Sequence, residues 1–483
     1  MSQPTKTRSE TNAAEERLSP VQHLTLAERT ERGKAAREQV GRSTHAAWEP
    51  TGDRPDPIDL LEEQAASRVP ELVPIRYGRM LVSPFTFFRG AAYLMACDLA
   101  QGPRTKIQVQ LCGDAHLSNF GGFSAPDRRL VFDINDFDET LPGPFEWDVK
   151  RLVASFAVAG RDRQFDAATR ETINRAVARS YRESMASFAS MRTLDVWYTR
   201  IDVEDVLQAT QGQGHSAGVL KRFEKNVAKA RTKDSLSAVA KLTEIVDGEP
   251  RFVSTPPLVV PASELYGAST EEVIDRVRVF IRSYRRTLQN DRQHLLERYR
   301  FVDLARKVVG VGSVGTRAWI ALFMGRDSAD PLVLQIKEAQ ASVLEPFVGK
   351  SGFANHGQRV VEGQRLMQSA SDLMLGWLHA TGVDDVERDF YVRQLWDSKG
   401  SARIDVMEPS VMEWYAQLCG QTLARAHARS GDPAEIAGYL GSSNTFERAL
   451  ATFAETYADQ NERDYAALKE AADSGRIQVE TGL

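Results

Sequence analysis

The stretch GDAHLSN at residues 113–119, followed by LVFDINDFD at residues 130–138, carries the strongest structural and chemical signal in the chain. Alternating apolar residues predict one short strand over residues 106–111 and a second over residues 129–132. Each strand therefore leads into a group of polar side chains. A glycine-rich turn and several carboxylates beside apolar strands define the chemical centre of the molecule.

The spacing within these two stretches fits the requirements of phosphoryl transfer. That reaction needs a carboxylate to orient the acceptor hydroxyl and oxygen ligands that hold magnesium on the phosphates. Asp114 and Asn119 have the D-x-x-x-x-N interval of kinase catalytic loops. Asp136 then takes the place of the second metal ligand. Asp133 and Asp138 flank it closely enough to bind the ion instead, and Asp133 is ranked second. The alternative is purely structural: Asp114 and Asn119 would form a plain turn, and the later carboxylates would lie in a solvated loop. Clustered carboxylates are, however, costly to hold together without a cation.

The pattern Gly-Asp-x-His-x-x-Asn, followed by an acidic strand end, resembles the catalytic loop of aminoglycoside and choline phosphotransferases. From about residue 76 to residue 465, the chain resembles a bacterial family of unknown function that is grouped with the protein-kinase-like superfamily. The resemblance implies that Asp114 is catalytic, that Asn119 binds a metal ion and that Asp136 lies at the DFG-like metal position. It also implies that Asp148 braces the catalytic loop from the start of a helix.

A downstream segment has the features of a nucleotide-binding sheet. GVGSVG at residues 310–315 precedes an alternating, strand-like run, whereas a dinucleotide-binding fold would place a helix there. LVLQIK at residues 332–337 resembles the kinase strand whose lysine grips the phosphates. The predicted cofactor-binding residues of this segment are Gly310, Gly312, Ser313, Gly315 and Lys337. A glycine-rich hairpin with a solvated lysine is the structural alternative.

In kinases a glutamate of the following helix pairs with this lysine. Glu362 lies in a helical pattern over residues 358–377 and is preferred, while Glu345 directly precedes a proline. Strands predicted over residues 390–395 and 402–406 would complete the sheet. They would put residues 394–397 near the adenine of ATP.

The two segments stand in the reverse of the usual kinase order, in which the sheet precedes the catalytic loop. A second loop candidate at Asp432 lacks an asparagine at the required spacing and an acidic strand end. We therefore predict an α+β, protein-kinase-like fold of two lobes that is circularly permuted, which is structurally easy because domain termini often lie close together. The predicted parts are a mobile polar tail (1–48) with one helix near residues 26–40, a large, mainly helical lobe (49–300), a small antiparallel-sheet lobe (301–406) and C-terminal helices that complete the large lobe (407–483).

Arg76, Arg79 and Arg89 lie in an aromatic-rich segment just before the catalytic strand. Arginines near a phosphate site stabilise the charge of the transferring group or hold an anionic acceptor, although ordinary ion pairs are the alternative. We assign Arg89 a catalytic role. His116 is expected to brace the loop, because Asp114 already supplies the base.

Composition excludes several functional classes. The 483 residues have a net charge of −5, with 42% hydrophobic and 26% charged residues, so no nucleic-acid partner is expected. The sequence has neither an apolar run of the roughly 18 residues that span a bilayer nor a signal-peptide pattern, which predicts a cytoplasmic protein without a membrane partner. Cys97, Cys112 and Cys419 are expected to be buried thiols.

The sequence thus predicts an ATP- and Mg²⁺-dependent phosphotransferase that transfers the γ-phosphate to a hydroxyl of a small molecule or a protein. Two alternatives remain at this point. One is an enzyme of the same fold that binds ATP reversed and transfers AMP. The other is a nucleotide-binding pseudokinase scaffold, against which the intact set of Asp114, Asn119, Asp136 and Lys337 argues.

Overall fold

The structure is a computed structural model that describes residues 23–211, 225, 228, 235–267, 270–308, 310–382, 386–395 and 400–482. Its α+β fold combines long helices with small antiparallel sheets, in agreement with the predicted fold class. The three cysteines are buried and free, as expected. Among the described residues, no helix combines the length and apolar character needed to cross a membrane.

The helices occupy the two ends and the middle of the sequence. The α-helices are Leu26–Gln39, Pro57–Ala65, Val73–Met80, Pro84–Gly90, Ala92–Gln101, Phe145–Asp162, Ala167–Ser190, Thr193–Tyr198, Val203–Gln211, Ser235–Leu242, Ala262–Tyr266, Thr270–Arg285, Asn290–Leu296, Glu345–Val348, His356–Met367, Pro409–Ser430, Pro433–Leu440 and Thr445–Asp473. Short 3-10 turns are Arg42–Ala46, Pro70–Leu72, Leu117–Asn119 and Ile404–Val406.

The largest sheet has six strands, and every neighbouring pair is antiparallel. Its spatial order is Gly376–Thr381, Glu387–Gln394, Pro331–Ala339, Ala318–Met324, Arg300–Lys307 and Val259–Pro261. The central strand Pro331–Ala339 is buried at nearly every residue, which explains its apolar first half, and its second half buries Gln335, Lys337 and Glu338 as well. The strands predicted after the glycine-rich string, at residues 332–337 and near residue 390 are confirmed. The strand predicted over residues 402–406 is wrong, because Ile404–Val406 is a 3-10 turn and the nearby Gly400–Ser401 pairs with Phe120–Ser124 outside this sheet.

Two features of this sheet differ from the prediction. The helix predicted over residues 358–377 ends at Met367, and Gly376–Thr381 forms an edge strand instead. The opposite edge is Val259–Pro261, which comes from the part of the chain assigned to the helical lobe. Its proline is acceptable there because an edge strand has one unpaired side.

Two smaller sheets carry the predicted chemical centre. Gln108–Leu111 pairs with Leu141–Pro144. Phe120–Ser124 pairs with Leu130–Ile134 in a hairpin, and Gly400–Ser401 joins its free side. The strand Phe120–Ser124 was not predicted, because its glycines indicated a loop. The hairpin positions the residues that precede its first strand beside those that follow its second.

The largest core lies around the helices Phe145–Asp162, Ala167–Ser190, Pro409–Ser430 and Thr445–Asp473. Phe145–Asp162 is buried along almost its whole length, and its charged residues are therefore inside the protein. Buried charges require partners. This helix consequently holds side chains that determine the geometry of the site next to it.

The N-terminal segment was expected to be a mobile tail with one helix. The helix Leu26–Gln39 is present, but it is packed against Pro433–Leu440, where Arg37 Nε donates to the carbonyl of Tyr439 at 2.9 Å. Because a helix leaves its last carbonyl groups without partners, this arginine stabilises the end of Pro433–Leu440. Residues 24–48 are thus part of the folded body, and residues 1–22 lie outside the described ranges.

Candidate active site

One carboxylate anchors the backbone at the start of the loop GDAHLSN. Asp148, in the first turn of Phe145–Asp162, accepts hydrogen bonds from the backbone N–H of Cys112 at 2.7 Å and of Gly113 at 3.1 Å. Gly113 has φ +82°, and a Cβ there would lie 2.4 Å from the carbonyl oxygen of Glu139. The turn therefore requires glycine. Asp148 has the bracing contacts that the family resemblance implied.

The side chain of Asp114 is held by an arginine that sequence reasoning missed. Arg151 donates from Nε to Oδ1 of Asp114 at 2.6 Å, and Nη2 lies 2.5 Å from the same oxygen as an ion pair while donating to the carbonyl of Phe88 at 3.0 Å. Asp148 and Arg151 are three residues apart and lie on one face of their helix, which is the signal that would have found Arg151. The second oxygen of Asp114 lies 3.7 Å from Nε2 of His116.

His116 is buried against the loop. Burial lowers its pKa to about 3, even though the carboxylate of Asp114 favours the charged ring. The ring is therefore neutral at physiological pH. This geometry fits the loop-bracing role expected for His116.

Asn119 and Asp136 lie at the same end of the hairpin. Phe120 pairs with Ile134, and the N–H of Asn135 donates to the carbonyl of Asn119 at 2.8 Å. The side-chain amide of Asn119 donates to the carbonyl of Asp114 at 2.9 Å, so Oδ1 is the atom of this side chain that could ligate a metal ion. The register of the two strands thus brings together Asn119 and Asp136, the two predicted metal ligands, which lie at opposite ends of the hairpin sequence.

Asp133, the alternative metal ligand, does not face this site. Its side chain is fully buried, and Oδ1 accepts from Arg425 at 2.5 Å. Oδ2 accepts from both the backbone N–H and the hydroxyl of Ser369 at 2.8 Å. The prediction for Asp133 is wrong because strand alternation turns it away from Asp136 and into the core.

A cavity of about 240 Å³ lies between the six-stranded sheet and the hairpin. Its walls include Asp136 from the acidic strand end, Gly310 and Ser313 from the glycine-rich loop, and Lys337 from the central strand. The remaining lining residues are Phe123, Ser124, Asn135, Lys307, Gln335, Gln364, Gln368, Asp372, Arg393, Gln394 and Leu395. The structure therefore joins two segments about 200 residues apart in sequence in one cavity.

The predicted adenine-side residues fall partly in this cavity. Gln394 and Leu395 line it, while residues 396 and 397 lie outside the described ranges. Arg393 lines it as well and was missed: Nη1 donates to the carbonyl of Asn135 at 3.0 Å, and Nε donates to Gln335 at 3.1 Å. Arg393 thus ties the sheet to the hairpin across the cavity.

The glycine-rich loop joins the strands Arg300–Lys307 and Ala318–Met324, as predicted. It is fastened to the segment before the catalytic strand. Arg79 Nη1 donates to the carbonyl of Gly310 at 2.5 Å, and the N–H of Val69 donates to the carbonyl of Gly315 at 2.7 Å. Gly312 approaches the carbonyl of Arg89 so closely that a Cβ would lie 3.2 Å from it. These contacts hold the loop close to Arg89.

Arg89 lies within electrostatic range of both Asp114 and Asp136. Burial lowers the pKa of its guanidinium, while the two carboxylates act in the opposite direction. Its Nε is buried without a hydrogen-bond partner in the described part of the chain. Arg76 is fully buried: its Nη2 donates to the carbonyl of Gly90 at 3.0 Å, while its Nε and Nη1, like Nε of Arg89, have no hydrogen-bond partner among the described residues.

Lys337 is paired with Asp138, a carboxylate that was not predicted to be its partner. Its Nζ lies 2.5 Å from Oδ2 of Asp138 and 3.3 Å from the hydroxyl of Ser313. The hydroxyl of Tyr391 donates to Oδ1 of Asp138 at 2.6 Å. Burial raises the pKa of Asp138, but Lys337 and Tyr391 together bring it down to about 2. Asp138 is therefore ionised beside the lysine.

Neither predicted glutamate contacts Lys337. Glu362 pairs with Arg365 at 3.0 Å, and Glu345 lies in a separate short helix, where it accepts from the N–H of Ser351 at 3.4 Å. The helix His356–Met367 turns Gln364 rather than Glu362 toward the cavity. The preferred pairing of Lys337 with Glu362 is wrong because helical periodicity puts Glu362 on the outer face.

The other candidates lie away from this cavity. Asp432 caps the helix Pro433–Leu440 by accepting from the N–H of Ala434 at 3.0 Å. A second cavity, of about 390 Å³, includes Arg37 and Arg42 in its lining, but both arginines donate to carbonyls at the end of that helix. Within the described ranges, no three His, Cys, Asp or Glu side chains are grouped to bind a metal ion by themselves.

Comparison with known proteins identifies one family. The model of the DUF2252 family, described as an uncharacterized protein conserved in bacteria, matches residues 68–471. No curated protein matches the chain, and no solved structure does.

Proposed function

The chain belongs to the DUF2252 family of uncharacterized bacterial proteins, and we propose that it is an ATP- and Mg²⁺-dependent phosphotransferase with a circularly permuted, protein-kinase-like fold. One observation carries the proposal: Lys337 and Asp136 line the same cavity. A nucleotide needs a cation for its phosphates and a carboxylate for the accompanying metal ion at one place. This cavity offers both, although the two residues come from distant parts of the chain.

The arrangement of the sheet supports the kinase-like assignment. The glycine-rich loop joins Arg300–Lys307 to Ala318–Met324, the next strand Pro331–Ala339 carries Lys337, and the helix His356–Met367 follows. A glycine-rich loop, a lysine on the third strand and a subsequent helix occur in the same order in protein kinases. The likeness extends over consecutive elements and does not depend on the glycine string alone.

A contact between two distant segments supports the circular permutation. The backbone N–H of Gln110 donates to the hydroxyl of Ser430 at 3.2 Å, and a Cβ on Gly431 would lie 2.6 Å from the side chain of Val109. The helix Pro409–Ser430 thus ends beside the strand Gln108–Leu111. A chain that ran directly from this helix into that strand would have the sheet first and the catalytic loop second, which is the usual kinase order.

The residues around the cavity suit the individual tasks of phosphoryl transfer. Asp114, oriented by Arg151, would accept the proton of the acceptor hydroxyl as the new P–O bond forms, while the bond between the γ-phosphorus and the β–γ bridging oxygen breaks and ADP leaves. Lys337 would bind the phosphates of the nucleotide from the sheet side. Arg89, with a buried and unpaired Nε beside Asp114 and Asp136, would neutralise the charge on the transferring group. No covalent intermediate is required.

The donor set around the hairpin fits a magnesium ion. Mg²⁺ is usually bound by one or two carboxylates together with substrate phosphates, rather than by a cage of protein ligands. Asn119 Oδ1 and the Asp136 carboxylate, which the hairpin register holds at one end, would be its protein ligands. When bound, Mg²⁺ neutralises the phosphates and polarises the bond to the leaving group.

Nucleotide binding with and without free magnesium provides the first test. Calorimetry on the purified chain should show ATP binding that weakens strongly when EDTA is added, because the triphosphate would then face Asp136 without a neutralising cation. Equal affinity under both conditions would exclude the proposed metal site.

The reaction itself is tested with ATP labelled at either the γ-phosphate or the α-phosphate. A cell extract of small molecules and a protein extract serve as separate acceptor pools. Transfer of the γ-label supports the proposal and indicates the acceptor class. Transfer of the α-label would instead identify an AMP-transferring enzyme, and nucleotide binding without any transfer would identify a pseudokinase.

A further inference from the structure

We propose that Asp138 positions Lys337 for the nucleotide, in the role for which kinases use a glutamate of the following helix. The inference rests on the proposed nucleotide-binding function. It goes beyond that function by assigning the lysine's partner to the segment that also supplies the metal-binding carboxylate.

The Lys337–Asp138 contact is short and enclosed. The ammonium and Oδ2 of Asp138 are 2.5 Å apart, and the side chain of Lys337 is only 3% exposed. Tyr391 donates to the other carboxylate oxygen at 2.6 Å. Both oxygens of Asp138 are therefore engaged, so the carboxylate presents a fixed acceptor to the lysine. Charge-assisted hydrogen bonds of this kind combine strength with a defined geometry.

The helix His356–Met367 is attached in a different way from the helix of a kinase. Arg359, buried in this helix, donates to the backbone carbonyls of Thr140 at 2.7 Å, of Asp138 at 2.8 Å and of Gln340 at 2.8 Å. These bonds connect the helix to the acidic strand end through backbone atoms. The position of Lys337 consequently does not depend on a carboxylate of the helix.

This arrangement has a mechanical consequence. Asp136 and Asp138 belong to one tripeptide, with Asp136 facing the cavity and Asp138 behind the lysine. A single short segment thus aligns the metal-binding carboxylate with the phosphate-binding ammonium. Alignment of these two groups requires no inward movement of the helix His356–Met367.

The main competing explanation is that Asp138 weakens ATP binding instead of strengthening it. If the ion pair held Lys337 away from the phosphates, Asp138 would block the site and its neutralisation would increase the affinity for ATP. If Asp138 positions the lysine, neutralisation decreases that affinity. The sign of the change therefore distinguishes the two.

The experiment compares Asp138→Asn with the matched variant Glu362→Gln, each of which neutralises one carboxylate at nearly constant volume. Calorimetry with ATP in excess Mg²⁺ and, separately, with adenosine gives two dissociation constants for each protein. We expect Asp138→Asn to weaken ATP binding by at least about tenfold, as for loss of a charge-assisted bond, with adenosine binding unchanged. Glu362→Gln should bind both compounds like the wild type.

A third variant keeps the proposal testable if Asp138→Asn does not fold. Tyr391→Phe removes only the hydroxyl that holds Oδ1 of Asp138, and it should weaken ATP binding by roughly two- to fivefold while leaving adenosine binding unchanged. An unchanged or increased ATP affinity in either variant, or an equal loss in Glu362→Gln, would overturn the role of Asp138. Failure of the wild type to bind any nucleotide would overturn the proposed function, and this inference with it.

Discussion

Arg151 contacts a single oxygen of Asp114 with two nitrogens: Nε donates a hydrogen bond at 2.6 Å, and Nη2, which donates to the carbonyl of Phe88 at 3.0 Å, lies 2.5 Å away as an ion pair. The arginine is only 3% exposed, whereas the Asp114 side chain is 21% exposed. A buried guanidinium therefore orients the Asp114 carboxylate, whose other oxygen lies 3.7 Å from Nε2 of His116. This relationship connects the helix Phe145–Asp162 to the proposed chemistry.

Replacement of the proposed base should separate chemistry from binding. Asp114→Ala is expected to reduce turnover by at least about 10²-fold, because a positioned base is lost, while ATP affinity changes little. Steady-state kinetics and calorimetry measure the two effects. Asp432→Ala, which alters a helix cap outside the cavity, should leave turnover nearly intact. Full activity of Asp114→Ala would move the chemistry to another residue.

The orientation of that base should depend on the shape of residue 151 as well as on its charge. Arg151→Lys retains the positive charge but cannot reproduce the planar pair of donors. We expect turnover to fall by roughly tenfold, with an unchanged KM for ATP, because a displaced base affects the chemical step. A variant with wild-type turnover would show that charge alone is sufficient.

Arg89 is expected to lower the stability of the fold while it increases turnover. Its buried Nε has no hydrogen-bond partner in the part of the chain that the structure describes, so Arg89→Met is expected to stabilise the fold by about 1 kcal/mol, as in other trade-offs between stability and function. Turnover should fall by at least about 10²-fold if the guanidinium neutralises the transferring group. Denaturation and kinetics measure these opposite effects. Arg192→Met, at an exposed ion pair, is the control and should alter neither.

The brace under the catalytic loop should contribute to folding. In Asp148→Asn an amide NH₂ replaces one carboxylate oxygen, so the backbone N–H of Cys112 or of Gly113 loses its acceptor. We expect a loss of roughly 1–3 kcal/mol in unfolding free energy, the usual cost of a buried unsatisfied donor. Urea denaturation measures it. Asp459→Asn, at an exposed ion pair, should cost less than about 1 kcal/mol, and an equal cost would argue against the brace.

Glu139 predicts a specific dependence of stability on pH. Burial raises its pKa to about 7, despite the N–H of Val343 that favours the charged form. At pH values between 4.5, the pKa of Glu139 in the unfolded chain, and about 7, the folded state binds more protons than the unfolded state. The contribution of Glu139 to the unfolding free energy is therefore complete below pH 4.5 and is lost as the pH rises toward 7. Glu139→Gln should remove this loss. Its stability relative to the wild type should therefore increase from pH 4.5 to pH 7, by roughly 1–3 kcal/mol.

Urea denaturation across this pH range provides the measurement for Glu139. The exposed Glu470→Gln serves as the control and should follow the wild-type profile. Parallel profiles for Glu139→Gln and the wild type would mean that Glu139 is not perturbed.

The candidate residues within each segment of the site could be predicted from the sequence because their patterns depend on short spacings. The interval between Asp114 and Asn119, the acidic strand end containing Asp136 and the glycine string before a strand all lie within single turns or hairpins. Backbone geometry over such distances is set largely by the residues themselves. The strands Ala318–Met324, Pro331–Ala339 and Glu387–Gln394 and the α+β class were predictable for the same reason, whereas the edge strands Gly376–Thr381 and Val259–Pro261 were not.

The partners of the site residues were decided only by tertiary structure. Lys337 meets Asp138 across 199 residues of sequence, and Asp133 turns into the core to meet Arg425 across 292. Spacing identifies which carboxylates are available, but packing of the sheet on the hairpin selects the one that reaches the lysine. Glu362 does not reach the lysine because helical periodicity directs it outward. The segment at residues 24–48 is part of the folded body because its helix packs against Pro433–Leu440, where Arg37 donates to the carbonyl of Tyr439.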